Sequence, residues 1–261
     1  MDIKGGVAIV TGSATGLGAE IAKQLAKKGC NVVINYSKSE AEARETAAAC
    51  EALGVETLLC RADVAQDGDC RRLAAETFDK WGRIDALVNN AGITRMADQA
   101  DLEALDADDF LDVYRVNVVG AFQMVRAVAP HMKAAGFGAV VNISSIAGVT
   151  GIGSSVAYAA SKGALNTMTL SLARSLAPEI RVNTVCPGFI ATRWWSDKLD
   201  EKKYQAFVRQ VEETVPLGKA AGPEDIAGSA VWLVEGADHV TGEMIIVDAG
   251  MHLGFAPLIA R

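Results

Sequence analysis

The feature that most constrains this chain is a rhythm: short β-branched runs alternate with helix-length segments from the first residues onward. The runs are Val7 to Thr11, Val32 to Tyr36, Thr57 to Cys60, Ala86 to Asn89, Ala139 to Ser144, Arg181 to Cys186 and Met244 to Val247. Strands joined by helical crossovers lie parallel, and the right-handedness of such crossovers covers both faces of the sheet. The expected fold class is therefore α/β, a three-layer doubly wound Rossmann fold around a seven-stranded parallel sheet. The rhythm breaks between Cys186 and Met244, where Trp194, Trp195, a charged helical pattern, Pro216 and Pro223 intervene. A connection that long is usually functional or carries helices of its own. Residues 1–261 thus read as a single domain, with a helical substrate lid at about 188–218 inserted before the last helix and strand. One α/β unit of this length is ordinary, and no repeat, linker or shift of composition marks a boundary.

Charge narrows the partners. With 25 Lys and Arg against 32 Asp and Glu, the net charge of -7 leaves no broad basic footprint, so no nucleic acid is expected. The five cysteines, Cys30, Cys50, Cys60, Cys70 and Cys186, contain no C-x-x-C pair, and the three histidines are dispersed; neither a disulfide framework nor a metal site is expected. The N-terminus shows no secretion pattern, and no apolar stretch approaches the roughly 20 residues needed to cross a bilayer. The expectation is a cytoplasmic protein without a membrane partner.

Directly after the first strand comes Thr11-Gly12-Ser13-Ala14-Thr15-Gly16-Leu17-Gly18, and a helical run follows from Ala19 to Lys28. Glycines allow a tight turn and a close backbone approach to a pyrophosphate, whose charge the free N-H groups of a helix N-terminus attract. Strand before and helix after make a dinucleotide site the better reading, although three residues separate the first two glycines where G-x-G-x-x-G has one. Farther on, Tyr158 and Lys162 stand four apart in a segment free of helix breakers, so both project from one helix face. Ser144 and Ser145 end the fifth run, at the edge where open parallel sheets bind ligands.

Together these residues resemble the short-chain dehydrogenase/reductase family over essentially the whole chain. The matching elements, in order, are Thr11-Gly-x-x-x-Gly-x-Gly18, Asn89-Asn90-Ala91-Gly92, Asn117-x-x-Gly120, Ser145, Tyr158-x-x-x-Lys162, and Pro187-Gly188 with Thr192. The resemblance implies hydride transfer between a nicotinamide cofactor and a carbonyl or secondary alcohol, with Tyr158 exchanging the proton. A free Tyr has a pKa of about 10, so a nearby cation is needed to stabilise its phenolate, and Lys162 is the candidate. Lys162 would also bind the nicotinamide ribose, Ser145 (Ser144 being the lesser candidate) would polarise the carbonyl, and the Asn117 amide would hold a water linking Lys162 to solvent. Asn90, Ala91 and Gly92 would line the cofactor. Asn89 is read equally as a brace of the sheet.

The resemblance also carries a cofactor set: Gly12, Ser13, Thr15, Gly16, Leu17, Gly18, Asn35, Tyr36, Ser37, Lys38, Asp63, Val64, Pro187, Gly188, Ile190 and Thr192. NAD binders of this fold usually place an acid about 20 residues past the glycine turn. Here that stretch reads Asn35-Tyr36-Ser37-Lys38-Ser39, with no acid before Glu40, so NADP(H) is favoured and NAD(H) is the alternative. Asn35 can also bond a ribose 2′-hydroxyl.

Subfamily signals, Val215 to Lys219, Gly222 to Ile226 and Val247 to Met251, look most like the 3-oxoacyl-[acyl-carrier-protein] reductases. Against a carrier-linked substrate, the stretches where those reductases carry basic docking residues read Ala134 to Gly138 and Ala177 to Ile180. In the lid, Phe189, Trp194 and Trp195 suggest an apolar or ring-bearing substrate, or else one tryptophan anchors the lid to the body or a neighbouring subunit. Arg193 meets a substrate anion or is solvated. The family expectation is a homotetramer. Alternatives are an NAD-dependent dehydrogenase of a sugar, polyol or cyclic alcohol, and a non-catalytic dinucleotide sensor on the same fold.

Overall fold

The computed structural model describes residues 2–197 and 200–254. Strands β1 (Val7–Val10), β2 (Asn31–Tyr36), β3 (Thr57–Arg61), β4 (Ala86–Asn89), β5 (Gly138–Ile143), β6 (Ile180–Pro187) and β7 (Met244–Val247) form one sheet in the order β3-β2-β1-β4-β5-β6-β7. Every pairing is parallel. The seven strands fall where the β-branched runs predict them, to within one residue at each end.

The strands are apolar at nearly every position because both faces are covered. Ala8, Val10, Val32, Ile34 and Val88 point one way, into α1 (Gly16–Lys27), α2 (Glu40–Glu51) and α10 (Pro223–Glu235). Their neighbours Ile9, Val33, Leu87, Val140 and Val182 point the other way, into α3 (Asp67–Trp81), α5 (Ala121–Ala135) and α7 (Val156–Leu176). Period-two alternation thus divides one run of residues between two cores. The outcome is the expected three-layer α/β fold. The other α-helices of the described residues are the short α4 (Ala107–Tyr114), α6 (Ala147–Thr150) and α8 (Arg193–Ser196), and the longer α9 (Glu201–Thr214). Among the described residues no helix is long and apolar enough to cross a membrane.

The chain order reverses between β1 and β4, so the loops leaving these strands diverge and open a crevice at the strands' C-terminal ends. A clasp of hydrogen bonds fixes the two loops. Asn90 Nδ2 donates to the carbonyls of Thr11 (2.9 Å) and Gly12 (3.1 Å), while Thr11 Oγ1 accepts from the Asn90 and Ala91 amides, each at 3.0 Å. Gly12 and Gly16 have φ of +62° and +59°, which a side chain resists. At Gly18 the constraint is space: a Cβ there would overlap Asn90 Nδ2 and lie 2.5 Å from the Gly12 carbonyl oxygen.

The lid leaves the body at Gly188, where a Cβ would lie 2.6 Å from Asp248 Cβ. It passes through α8 and α9, and has a small core of its own around buried Phe189, Val211 and Val215.

Candidate active site

A cavity of about 900 Å³ runs along the C-terminal edge of the sheet. One end is formed by Gly12, Thr15, Gly16, Leu17, Ser37, Lys38, Asp63 and Val64. Asn90, Ala91, Gly92, Pro187, Gly188, Ile190 and Thr192 line its middle, and Ser145, Tyr158, Lys162, Phe189, Trp194 and Trp195 its far end. Val64 is held in place from behind, because Gln123 Nε2 donates to its carbonyl (2.8 Å) and Gly120 leaves room for it.

Several expected contact residues turn out to be braces. Ser13 is fully buried, donating to the Val10 carbonyl and accepting from the Asn35 amide, and does not line the cavity. Tyr36 is packed into the core beside α2, and Gly18 serves the loop packing described above; neither lines the cavity. Asn35 reaches the wall, yet its side chain accepts from the Gly12 amide and donates to the Cys60 and Ala62 carbonyls. Both amide hydrogens are engaged within the protein, so the side chain braces the glycine turn against β3. Asn117 is braced as well. It lies in a π-helical turn, Arg115–Gly120, where its Nδ2 donates to Ile93 O and Ser161 Oγ and its Oδ1 accepts from the Ile93 amide. With both hydrogens engaged, this amide first clasps the loop after β4 to α7. Asn89 is buried and donates to Asn142 across β4 and β5, so its bracing role is the one observed.

The far end is built by close approach. At Gly148 in α6 a Cβ would lie 2.5 Å from the Lys162 carbonyl carbon, so only a glycine lets the segment after Ser145 sit against α7. Ser155 caps α7 by accepting from the Tyr158 amide (3.2 Å), while Ser145 Oγ accepts from the Ala147 amide (3.1 Å) and lines the same cavity as Tyr158. Ser144 points instead to the Lys162 carbonyl. Lys162 is buried and donates to the Ile143 carbonyl at 2.8 Å, with its Nζ 5.6 Å from the centre of the Tyr158 ring.

The adjacent tryptophans separate. Trp195 packs with Phe207 and Phe189 (5.2 and 5.9 Å between ring centres) inside the lid, whereas Trp194 faces Tyr158 at 6.0 Å. Trp195 thus packs within the lid itself, and Trp194 is the tryptophan beside the tyrosine. Arg193 stays half exposed at the cavity wall and pairs with Glu42 (2.8 Å) and Asp197 (3.4 Å). Phe207, Gln210, Val211 and Thr214 of α9 also line the cavity, as do Ile146 and Ile152, and sequence reasoning missed them. The signal was present for α9, since these four residues follow the i, i+3, i+4, i+7 spacing of one helix face.

Residues 12–252 match the family model described as enoyl-(acyl carrier protein) reductase. The 3-oxoacyl-[acyl-carrier-protein] reductase FabG of Staphylococcus aureus is 34% identical over 94% of this chain and 98% of its own length. The chain belongs to the short-chain dehydrogenase/reductase family. A Streptomyces violaceoruber protein named as ketoacyl reductase 2 of the granaticin polyketide synthase is 40% identical over 95% of this chain and 96% of its own length. Among solved structures, a gluconate 5-dehydrogenase from Burkholderia cenocepacia, in complex with NADP and tartrate, superposes with a TM-score of 0.87 at 32% identity, covering 97% of each chain.

For a short-chain dehydrogenase/reductase the electrostatics of the far end are informative. Burial pushes Tyr158 up to about 12, with the nearby Ser145 hydroxyl working against the rise. Burial also pushes Lys162 down to about 8. In the protein alone burial disfavours the charged form of both groups, yet at neutral pH Lys162 still carries its proton for most of the time. The cradle suits a nicotinamide dinucleotide: the left-handed glycines open the first turn, the Thr15 side chain does not cap α1, and Ser37 and Lys38 stand exposed at the end of β2.

Proposed function

We propose that this oxidoreductase reduces the carbonyl group of a neutral, largely apolar ketone or 3-oxoacyl thioester, using NADP(H). The observation that carries the reading is the Ser145-Tyr158 pair set in the same cavity as the glycine turn, with Trp194 across from the tyrosine ring. The bound nicotinamide supplies the hydride, and the chain supplies the proton and the orientation. Ser145 and Tyr158 hydrogen-bond the carbonyl oxygen, and as negative charge develops there Tyr158 donates its proton, giving the alcohol. Tyr158 stays protonated until that moment because its burial disfavours the phenolate. Lys162, fixed by the Ile143 carbonyl, holds the ribose and steadies the phenolate left behind.

A screen of NADPH oxidation across 3-oxoacyl thioesters, simple and cyclic ketones, quinones and keto-sugars tests the reading, with apolar ketones or 3-oxoacyl thioesters expected to lead. Keto-sugars in the lead would overturn the apolar substrate, and no turnover with any carbonyl would favour the dinucleotide sensor. Carrier-linked and short thioester forms of one acyl group should give similar kcat/KM, since Ala134 to Gly138 and Ala177 to Ile180 lack basic anchors.

Coenzyme choice follows from the end of β2. Lys38 favours a 2′-phosphate and no carboxylate opposes it, so wild-type kcat/KM should be higher with NADPH. Ser37→Asp should move the ratio toward NADH by charge repulsion. A wild-type preference for NADH would sink this part of the reading.

The lid makes a prediction in two halves. Trp194→Ala should raise KM for apolar substrates with little change in Tm, because that ring faces the cavity. Trp195→Ala should cost stability, on the scale of about 3 kcal/mol seen for large aromatic truncations, by emptying the lid core. Thermal melts and steady-state kinetics on the two variants separate the roles, and the opposite pattern would reverse them.

A further inference from the structure

Arg193 stands at the start of the lid helix α8, and its partner Glu42 stands in the first turn of α2, 151 residues away in sequence. The ion pair ties these two elements together. Helix α2 begins just after Ser37 and Lys38, while the lid passes over the glycine turn, where a Cβ on Gly16 would touch the Thr192 methyl at 3.8 Å. Arg193 lines the main cavity and, with Glu42, Thr15 and Gly16, also lines a cleft beside it. The pair therefore spans the cleft beside the turn that would hold the pyrophosphate and ties the lid, at the wall of the main cavity, to α2.

We infer that the Arg193-Glu42 ion pair is a strap that holds the lid closed over bound nucleotide, so that breaking it is part of nucleotide exchange. The inference rests on reading the cavity as a dinucleotide site. While the pair is formed, the lid is fastened to α2 beside the glycine turn and cannot swing away from a nucleotide held there. Asp197 steadies the arginine from within the lid, leaving Nη1 for Glu42. Each partner shifts the other toward its charged form, which fits a pair that persists at neutral pH. Glu42 touches no reacting atom; it is a positioning residue acting through Arg193.

The strap is exposed at both ends, so its effect should be of the size of a surface ion pair, about two- to fivefold in a rate. Stopped-flow displacement of NADPH, and of NADH in parallel, gives the dissociation rate for wild type, Glu42→Gln, Arg193→Gln, the double neutral variant, and the charge-swapped pair Glu42→Arg with Arg193→Glu. Either single neutral variant should release nucleotide two- to fivefold faster, and the double neutral variant no faster than the singles. The swapped pair should recover wild-type release. Raising salt from 0.05 to 1 M, which shortens screening from over 10 Å to about 3 Å, should close the gap between wild type and the neutral variants. If nucleotide release limits turnover, kcat rises in the neutral variants while nucleotide affinity falls, a split that general destabilisation does not produce. Additive effects, no rescue by the swapped pair, or unchanged release in a protein that binds nucleotide would overturn the strap alone. Failure of wild type to bind either nucleotide would overturn the dinucleotide reading with it.

Discussion

Tyr158→Phe is expected to lower kcat by roughly 10² to 10⁴ while leaving nucleotide affinity and Tm close to wild type. The substitution removes one oxygen from a side chain whose ring still packs against Trp194 and Gly153, so the cavity keeps its shape. What disappears is the transferable proton, together with one of the two donors to the carbonyl oxygen. Ser145→Ala should be milder, since Tyr158 would still position the oxygen; equal losses in the two variants would point to orientation in place of proton transfer. Single-turnover reduction at saturating nucleotide separates the chemical step from release, and a Phe variant reducing substrate at the wild-type rate would be incompatible with the proposed role.

Lys162→Met should abolish most activity and weaken nucleotide binding without destabilising the fold at neutral pH. Ordinarily the loss of a buried, hydrogen-bonded lysine would be costly. Here burial pushes Lys162 down to about 8 from the 10.5 of an exposed lysine, so the fold disfavours the ammonium form. The sign follows directly: between about pH 8 and 10.5 the unfolded chain holds the proton and the folded chain has released it, so this residue makes stability rise with pH across that window. Below about pH 8 the full penalty applies, on the order of 3 kcal/mol, and it offsets the hydrogen bond to Ile143 that the methionine forfeits. The measurements are Tm against pH for both proteins: the wild-type curve should climb through the window and the Met curve should lack that component. A Met variant that melts well below wild type at pH 7 would show that the lysine holds the fold more than it serves the site.

How far the sequence could be read depended on how local the controlling physics was. The sheet was legible because β-branched runs separated by helix-length segments leave few alternatives, and parallel strands covered on both faces need continuous apolar runs. Thr15, Gly16, Asn90 to Gly92, Ser145 and Tyr158 were legible because each belongs to a short motif whose spacing sets its geometry, and all of them line the cavity. Ser13, Tyr36 and Asn35 fall within the same stretches, yet they turn inward to brace the turn. A motif fixes where the backbone goes, while the inward or outward direction of a polar side chain depends on partners such as Cys60 and Ala62, at the end of β3.

By itself the sequence determined the α/β fold, the order of its strands along the chain, the family, and the positions of the serine, tyrosine and lysine. Local periodicity and motif spacing carry that information. Only the tertiary structure decided which tryptophan faces Tyr158, which face of α9 closes the cavity, that the Asn117 amide clasps Ile93, and that Arg193 reaches Glu42. Each of these is a contact between segments far apart in the chain. Adjacent residues such as Trp194 and Trp195 carry no label for inside or outside until the lid folds back and Phe189 and Phe207 claim one of them. Burial likewise moves Tyr158 and Lys162 away from their ordinary proton affinities, because desolvation depends on everything packed around a group and not on its neighbours in sequence.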